Sequence, residues 1–195
     1  MPRALIVHAS RHGATAGIAE RIGEVLRAEG IEAVVAPASH APDPFGFDAC
    51  IVGGGVYIGS WVKEGIEYLE RYESTLSAQP VWLFSCGPLP GPTSDANATG
   101  SNDPMTQALG PVEGPGSGGR RKLQAVADVI GVRDHRIFRG AYDPNDPPKA
   151  MFERLVRMMP ASKGILPAGD FREWDVIVGW AREIAAALRE PATVG

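Results

Sequence analysis

The residues best suited to bind an anion lie near the start of the chain. An apolar run over residues 4–8 leads into the loop Ser10-Arg-His-Gly-Ala-Thr15, after which apolar residues recur at helical spacing. The first amides of a helix have no intrahelical partners, and the helix dipole adds partial positive charge there. Ser10 and Thr15 add hydroxyl donors, and Gly13 allows close approach of the backbone. The loop therefore predicts a phosphate site, with an ordinary strand–helix connection capped by Thr15 as the alternative.

Two further loops carry residues suited to a flat ring. The segment Gly53–Trp61 begins with three glycines and contains Tyr57, and Ser85–Pro88 follows another apolar run. Glycine backbone can reach the polar edge of a ring while an aromatic side chain covers its face. The alternative is a mobile glycine turn whose Tyr57 and Trp61 pack on neighbouring residues. Ligands of an open parallel sheet bind beyond the carboxyl ends of its strands, so we expect the three loops at one edge.

The elements that must position these loops alternate between strand-like and helix-like patterns. Segments such as Leu5-Ile-Val and Cys50-Ile-Val are apolar on both faces, as buried parallel strands are. This alternation predicts an α/β fold with a parallel sheet and helices on both faces. The predicted strands are Ala4–His8, Glu32–Ala36, Ala49–Val52, Val81–Ser85 and Arg136–Ala141. The predicted helices are Ala16–Glu29, Ser60–Leu76, Arg120–Ile130 and Trp174–Arg189.

The composition of the whole chain narrows the class of protein. A length of 195 residues fits a single domain over 1–195, and the formal net charge of -4 argues against a nucleic-acid partner. The two cysteines, Cys50 and Cys86, form no CxxC pair, so no metal site is predicted and both thiols are expected to be free. The chain shows no signal-peptide pattern and no apolar run of membrane-spanning length, so a cytoplasmic location is expected.

Two segments interrupt the alternation of strands and helices. Residues 87–119 are rich in Pro, Gly, Ser, Thr and Asn without periodicity, which predicts a flexible inserted loop. A second insertion is predicted at 142–171. Within it, apolar residues at helical spacing and flanking basic residues predict a short basic amphipathic helix over about 149–163. Two interpretations of this helix stay open, since its apolar side can pack on the domain or make peripheral contact with an anionic membrane.

The three loops together resemble those of the flavodoxin family, which hold FMN between a phosphate loop and two loops flanking the flavin ring. Other segments are similar to the bacterial menaquinone-dependent protoporphyrinogen oxidases within that family, namely Val52–Gly59, Met151–Met159, Asp170–Asp175 and Ala181–Ala185. The resemblance covers most of the chain apart from the loop over 87–119. It implies a flavodoxin-like three-layer sandwich with a five-stranded parallel sheet of order 2-1-3-4-5.

The resemblance also implies which residues bind FMN. Those expected at the phosphate are Ser10, Arg11, His12, Gly13, Ala14 and Thr15. Those expected around the ring are Gly53, Gly54, Gly55, Val56, Tyr57 and Ile58, with Ser85, Cys86 and Gly87 on the other side. The implied function is an FMN-binding oxidoreductase that passes electrons between a reduced small-molecule substrate and a quinone-like acceptor, with protoporphyrinogen as the candidate substrate. The alternative is a non-enzymatic flavodoxin that docks on redox partner proteins.

The remaining chemistry-bearing side chains are given simpler roles. No protein acid or base is expected to be essential, because the flavin would supply the redox chemistry. Cys50 lies mid-strand and is predicted to be a small buried hydrophobe. Cys86 lacks a partner cysteine for a redox role. His40 and His135 are predicted to be surface-loop residues.

Overall fold

Five parallel strands form the centre of the molecule. The computed structural model describes residues 1–57, 60–87, 94–95, 117–143 and 169–189. The parallel strands are β1 (Arg3–Ala9), β2 (Glu32–Pro37), β3 (Ala49–Tyr57), β5 (Val81–Gly87) and β7 (Asp134–Arg139). Their order is β2-β1-β3-β5-β7, which is 2-1-3-4-5 when only the parallel strands are counted. The predicted fold class and strand order are confirmed.

Four two-residue strands lie at the margins of this sheet. β4 (Ser60–Trp61) folds back antiparallel onto the end of β3. β6 (Ser94–Asp95) pairs antiparallel with β7 at the sheet edge. β8 (Ala141–Tyr142) and β9 (Gly169–Asp170) pair only with each other, forming a short antiparallel ribbon beyond β7.

The described helices cover both faces of the sheet. α1 (Ala14–Ala28) and α5 (Trp174–Arg189) pack on one face, where they bury Ile6, Ile51 and Phe84 among other residues. α2 (Lys63–Arg71), α3 (Glu73–Leu76) and α4 (Ser117–Ile130) bury the opposite side of the same strands. Successive strand residues point to opposite faces, which is why one apolar run supplies both cores. No described helix has the length and apolar content needed to span a membrane.

The third strand is longer than its apolar run predicts. It continues from Val52 through the glycines to Tyr57 and stays paired on both sides, with Gly53 opposite His8 of β1 and Phe84 of β5. Glycine is depleted in strands, so the pattern alone ends the strand at Val52. The predicted loop after the third strand therefore begins later than expected, and its first three glycines belong to the sheet.

The predicted helix Ser60–Leu76 is wrong at its start and in its middle. Ser60 does not cap a helix, because Ser60 and Trp61 pair with β3 before α2 begins. The helix is then interrupted at Tyr72, whose φ of -110° lies outside the helical range. The fifth predicted strand is also displaced, since β7 ends at Arg139 and the chain then enters β8. Local patterns place element boundaries poorly, because pairing with distant strands decides them.

Most of both predicted insertions lies outside the described residues. Within 87–119 the structure describes Gly87 at the end of β5, β6, and the first residues of α4. Within 142–171 it describes residues 142–143 and 169–171. The predicted amphipathic helix over 149–163 and the membrane contact assigned to it lie outside the described residues, as does Ile58.

Candidate functional site

The loop between β1 and α1 has the backbone expected of an anion site. Gly13 occupies the N-cap position in the left-handed region, with φ 86°, and donates its N–H to Ser10 Oγ at 3.1 Å. The first turn of α1 contains no acidic residue that would repel an anion. Thr15 lies inside the helix and is almost fully buried, so the alternative that made it the N-cap is wrong. Glycine is needed at residue 13 because side chains disfavour positive φ.

A cleft opens beside this loop at the carboxyl edge of the sheet. It has a volume of about 130 Å³ and is open to solvent. The β1–α1 loop, the end of β3, the end of β5 and the segment after β7 all contribute to its walls. Its lining residues are His12, Ala14, Thr15, Val56, Tyr57, Cys86, Gly87, Gly140, Ala141 and Asp143. The fold thus brings residues from all three predicted loops to one place.

Gly55 lies behind the cleft lining, where the end of β3 meets the β1–α1 region. A Cβ on this residue would lie 3.1 Å from the Tyr57 ring, 3.2 Å from Thr15 Oγ1 and 3.4 Å from the Ala9 carbonyl oxygen. The Tyr57 ring is also covered from the β1–α1 loop, with the Arg11 guanidinium 5.1 Å from its centroid. Gly55 therefore lets the phosphate loop and the aromatic side chain approach each other closely.

The other two glycines of the triplet serve the core rather than the cleft. A Cβ at Gly53 would overlap the ring of Phe84, and a Cβ at Gly54 would overlap the indole of Trp61. Both residues are buried, and neither lines the cleft. The sequence expectation that all three glycines face a ligand ring therefore has a competing explanation at these two positions. They make room for aromatic side chains packed on opposite faces of the sheet.

Ser85 points away from the cleft, into the core on the α2–α4 side. Its Oγ accepts a hydrogen bond from Trp61 Nε1 at 2.7 Å and lies 2.9 Å from His135 Nε2. An indole N–H can only donate, so the hydroxyl hydrogen of Ser85 is available to His135 Nε2 in the tautomer that leaves this nitrogen unprotonated. The side chains of adjacent strand residues face opposite sides of the sheet, and of these two residues Cys86 lines the cleft and Ser85 does not.

His135 is therefore not the surface-loop residue that the sequence predicts. It lies in β7, is 5% exposed, and packs edge-on against the Trp61 indole. Burial lowers its pKa to about 4, with Asp134 opposing the shift. A charge at this position would lack solvent and would displace the serine hydroxyl hydrogen. A polar residue flanked by charged residues in a short strand has the sequence pattern of a surface loop. The burial of His135 becomes apparent only when β7 is placed in the sheet.

Cys86 forms part of the cleft floor. It is 3% exposed, and burial raises the pKa of its thiol to about 11, while a hydrogen bond with Thr15 and the charge of Arg172 oppose that shift. The thiol is thus protonated at neutral pH. Cys50 is fully buried and its pKa is raised by the same cause, so the prediction that it is a buried hydrophobe is confirmed. Both cysteines are free, as predicted.

Sequence reasoning missed the wall formed after β7. Gly140, Ala141 and Asp143 line the cleft, and Gly140 donates its backbone N–H to the Gly87 carbonyl at 2.9 Å. A Cβ at Gly140 would lie 3.2 Å from Cys86 Sγ, so this glycine allows the wall to close against the floor. The sequence signal that could have indicated this wall was the position of residues 140–143 directly after β7, the strand next to β5 in the sheet.

Residues 5–109, more than half of the chain, match the family model described as a flavodoxin domain. The chain belongs to the flavodoxin domain family. Two structural neighbours are flavodoxins of nearly the same length. One from the domain Archaea is 12% identical, with a TM-score of 0.57 and coverage of 96% of this chain and 99% of that chain. A cysteine-to-serine mutant of the flavodoxin from Pseudomonas aeruginosa is 17% identical, with a TM-score of 0.54 and the same coverage.

A third neighbour is a larger protein. The rubredoxin oxygen:oxidoreductase from Desulfovibrio gigas is 12% identical, with a TM-score of 0.54; the match covers 96% of this chain and 36% of that chain. The present chain thus spans about a third of the length of that oxidoreductase. At these identities the neighbours establish the fold, and the flavodoxin family implies FMN as the cofactor.

The residues present fit FMN. The first turn of α1 supplies backbone amide donors and contains no acidic residue, which suits a phosphate. Gly55 keeps clear a space between Thr15 and Tyr57 that a Cβ would fill. The donor set and the cradle therefore match a ligand with one anionic end and one flat end.

Proposed function

We propose that this flavodoxin-family chain binds FMN in the cleft at the carboxyl edge of the sheet and passes electrons between a reduced small-molecule substrate and a quinone-like acceptor. The single observation that carries the proposal is the convergence of the β1–α1 loop, Tyr57, and the Cys86–Gly87 segment on one cleft. When bound, FMN supplies the hydride and electron chemistry, so the protein binds, orients and shields it.

At the phosphate end, the residues from Ser10 to Thr15 provide backbone and hydroxyl donors. Gly13 shapes the loop, and the Ser10 hydroxyl braces it by accepting the Gly13 N–H. A phosphate carries close to two negative charges, which the amides and dipole of α1 stabilise without a proton transfer. Arg11 and His12 add side chains that can contribute positive charge.

At the ring end, Val56 and Tyr57 form one wall, with Cys86 and Gly87 beneath. An aromatic side chain can stack on a flat ring, and backbone groups near Gly87 can bind its polar edge. The neutral Cys86 thiol keeps this floor uncharged at neutral pH. Ile58, expected at the ring, completes the proposed set.

Protoporphyrinogen is the candidate substrate, since the segment Asp170–Asp175 is similar to the menaquinone-dependent oxidases. That segment adjoins the cleft, because Phe171 donates its N–H to the Gly140 carbonyl at 3.1 Å. A wall that varies within a family is where a substrate would be distinguished. The second candidate function is an electron carrier that docks on redox partner proteins, which the match to the flavodoxin domain favours.

The decisive experiment pairs two variants of Ser10 that have nearly the same shape. Both Ser10→Asp and Ser10→Asn keep an oxygen that can accept the Gly13 N–H. Only the aspartate adds a charge. At about 5 Å and an effective dielectric of about 20, its repulsion is about 3 kcal/mol for each unit of phosphate charge, so binding should weaken by far more than about a hundredfold. Fluorescence titration with FMN measures the dissociation constant. Wild-type protein that binds no FMN, or equal affinities of the two variants, would overturn the proposal.

A turnover assay separates the two candidate functions. Anaerobic protein loaded with FMN is mixed with protoporphyrinogen and menadione, and porphyrin fluorescence is followed. Catalytic turnover supports the oxidoreductase. FMN binding without turnover, combined with reduction by a partner reductase, supports the carrier instead.

A further inference from the structure

The segment before α5 reaches across to the first turn of α1. A Cβ on Gly17 would lie 2.5 Å from Arg172 Nη1 and 3.7 Å from Arg172 Cζ. Arg172 is largely buried, with its side chain 19% exposed. The guanidinium thus occupies the place where a side chain of residue 17 would project. Any residue larger than glycine would displace it.

The position occupied by the Arg172 guanidinium lies over the start of α1. Side chains of an α-helix point back toward its N-terminus, so the surface covered by residue 17 lies over the preceding turn. That turn begins at Gly13 and carries the amide donors of the proposed phosphate site. Arg172 therefore places one guanidinium nitrogen, Nη1, beside the same turn, while Asp170 pairs with the opposite edge of the group.

The guanidinium is held in this position by contacts from its own segment. Its Nε and Nη2 donate to the two carboxylate oxygens of Asp170 at 2.8 and 2.6 Å, and the group stacks 4.4 Å from the centroid of the Trp174 ring. These bonds use one edge of the fork and leave Nη1, the nitrogen facing Gly17, with two N–H groups outside the Asp170 pair. The backbone of the same segment is anchored to the cleft wall through Phe171 and Gly140.

We propose that Arg172 is a positioning and binding residue for the phosphate end of the cofactor, acting from outside the β1–α1 loop. The inference rests on the proposed function. Its Nη1 adds a charged donor to the amides of α1, and Asp170 and Trp174 fix the direction of that donor. Gly17 is the residue that admits it. The late segment thereby contributes to cofactor affinity as well as to the cleft wall.

Two ligands distinguish this role from a purely structural one. FMN and riboflavin share the same ring system, and only FMN carries the phosphate. A residue that acts on the phosphate changes the ratio of the two affinities, whereas general loosening of the fold weakens both ligands alike. Fluorescence titrations of the apoprotein with each ligand give this ratio without any turnover.

Two variants with matched controls carry the test. Arg172→Gln removes the charge, and Arg182→Gln makes the same change at an exposed α5 residue whose partner is Glu29. Gly17→Ala keeps every charge but displaces the guanidinium, and it retains the fold because alanine favours helix over glycine. Gly179→Ala is its control, since a Cβ there meets no atom within 4 Å among the described residues.

We expect both test variants to weaken FMN binding about tenfold or more, as for loss of a charged hydrogen bond. Riboflavin binding should change by less than about twofold, and both controls should match the wild type. Equal weakening of FMN and riboflavin, or unchanged FMN binding in Gly17→Ala, would overturn the inference. Wild-type protein that binds neither ligand would instead refute the proposed function, so the two failures are distinguishable.

Discussion

The buried Trp61–Ser85–His135 chain of hydrogen bonds predicts how stability depends on pH. His135 is neutral in the folded protein because burial lowers its pKa from 6.5 to about 4. In the unfolded chain the same imidazole takes up a proton near pH 6.5. Between these two values the unfolded state binds more protons than the folded state. The free energy of unfolding therefore falls as the pH drops from 6.5 to 4.

The magnitude follows from the two pKa values. Each pH unit inside the window corresponds to about 1.4 kcal/mol for one fully linked proton. Lowering the pH from 6.5 to 4 should thus cost about 3 kcal/mol from His135 alone. Above about pH 8 the residue contributes almost no slope, because the imidazole is then neutral in both states. A domain with a total stability of about 5–15 kcal/mol would register this loss clearly.

Urea unfolding of the apoprotein at pH 7.0, 6.0, 5.0 and 4.5 measures the effect, with His135→Gln as the reference variant. Glutamine does not titrate, and its amide oxygen can still accept the Ser85 hydroxyl. The difference between wild type and variant removes the contribution of His8, whose pKa is also lowered by burial. The wild type should lose more stability than the variant on acidification. Parallel stability curves for the two proteins would refute the assignment of His135 as a buried neutral group.

Three further outcomes follow from the cleft, its floor and the neighbouring core. Gly54→Ala should lower the free energy of unfolding by about 2 kcal/mol in urea titrations, because the new methyl overlaps Trp61. Gly55→Ala should keep nearly wild-type stability, because its methyl group would be in tight contact with Thr15 and Tyr57 without overlapping them. It should weaken FMN binding several-fold in fluorescence titrations. Equal effects of Gly54→Ala and Gly55→Ala on FMN binding would contradict the assignment of Gly54 to the core and Gly55 to the ligand site. Cys86 should react with iodoacetamide at pH 8 far more slowly than in urea-unfolded protein, because its thiol is buried with a pKa of about 11. Mass spectrometry follows the alkylation, and rates alike in folded and unfolded protein would show that the thiol is accessible.

The fold could be predicted from the sequence because the patterns that indicate it are local in the chain. Buried parallel strands are apolar on both faces, and helices between them show a 3.6-residue period. The run Leu5-Ile-Val and the apolar face of α1 both follow these patterns and lie where predicted. The β1–α1 loop was equally accessible, since a strand, a glycine and a helix start are adjacent in the chain.

The direction in which each strand side chain points could not be predicted from the sequence in the same way. The glycines at residues 53–55 look alike in the sequence, yet Phe84 and Trp61 occupy the space beside two of them. Ser85 was grouped with Cys86 because both follow the same apolar run. The pleat of β5 turns their side chains to opposite faces, so one reaches the core network and the other reaches the cleft.

By itself, the sequence determined the layer architecture and a loop suited to phosphate, because both depend on periodicity and on residues that are neighbours in the chain. The strand order was implied by the resemblance of the loops to those of flavodoxins. The tertiary structure decided which residue of each pair faces the cleft, that His135 is inside, and that Arg172 reaches α1 from a segment 155 residues beyond Gly17. Such placements depend on contacts between distant segments, whose geometry is set only when the sheet and both helical layers pack together.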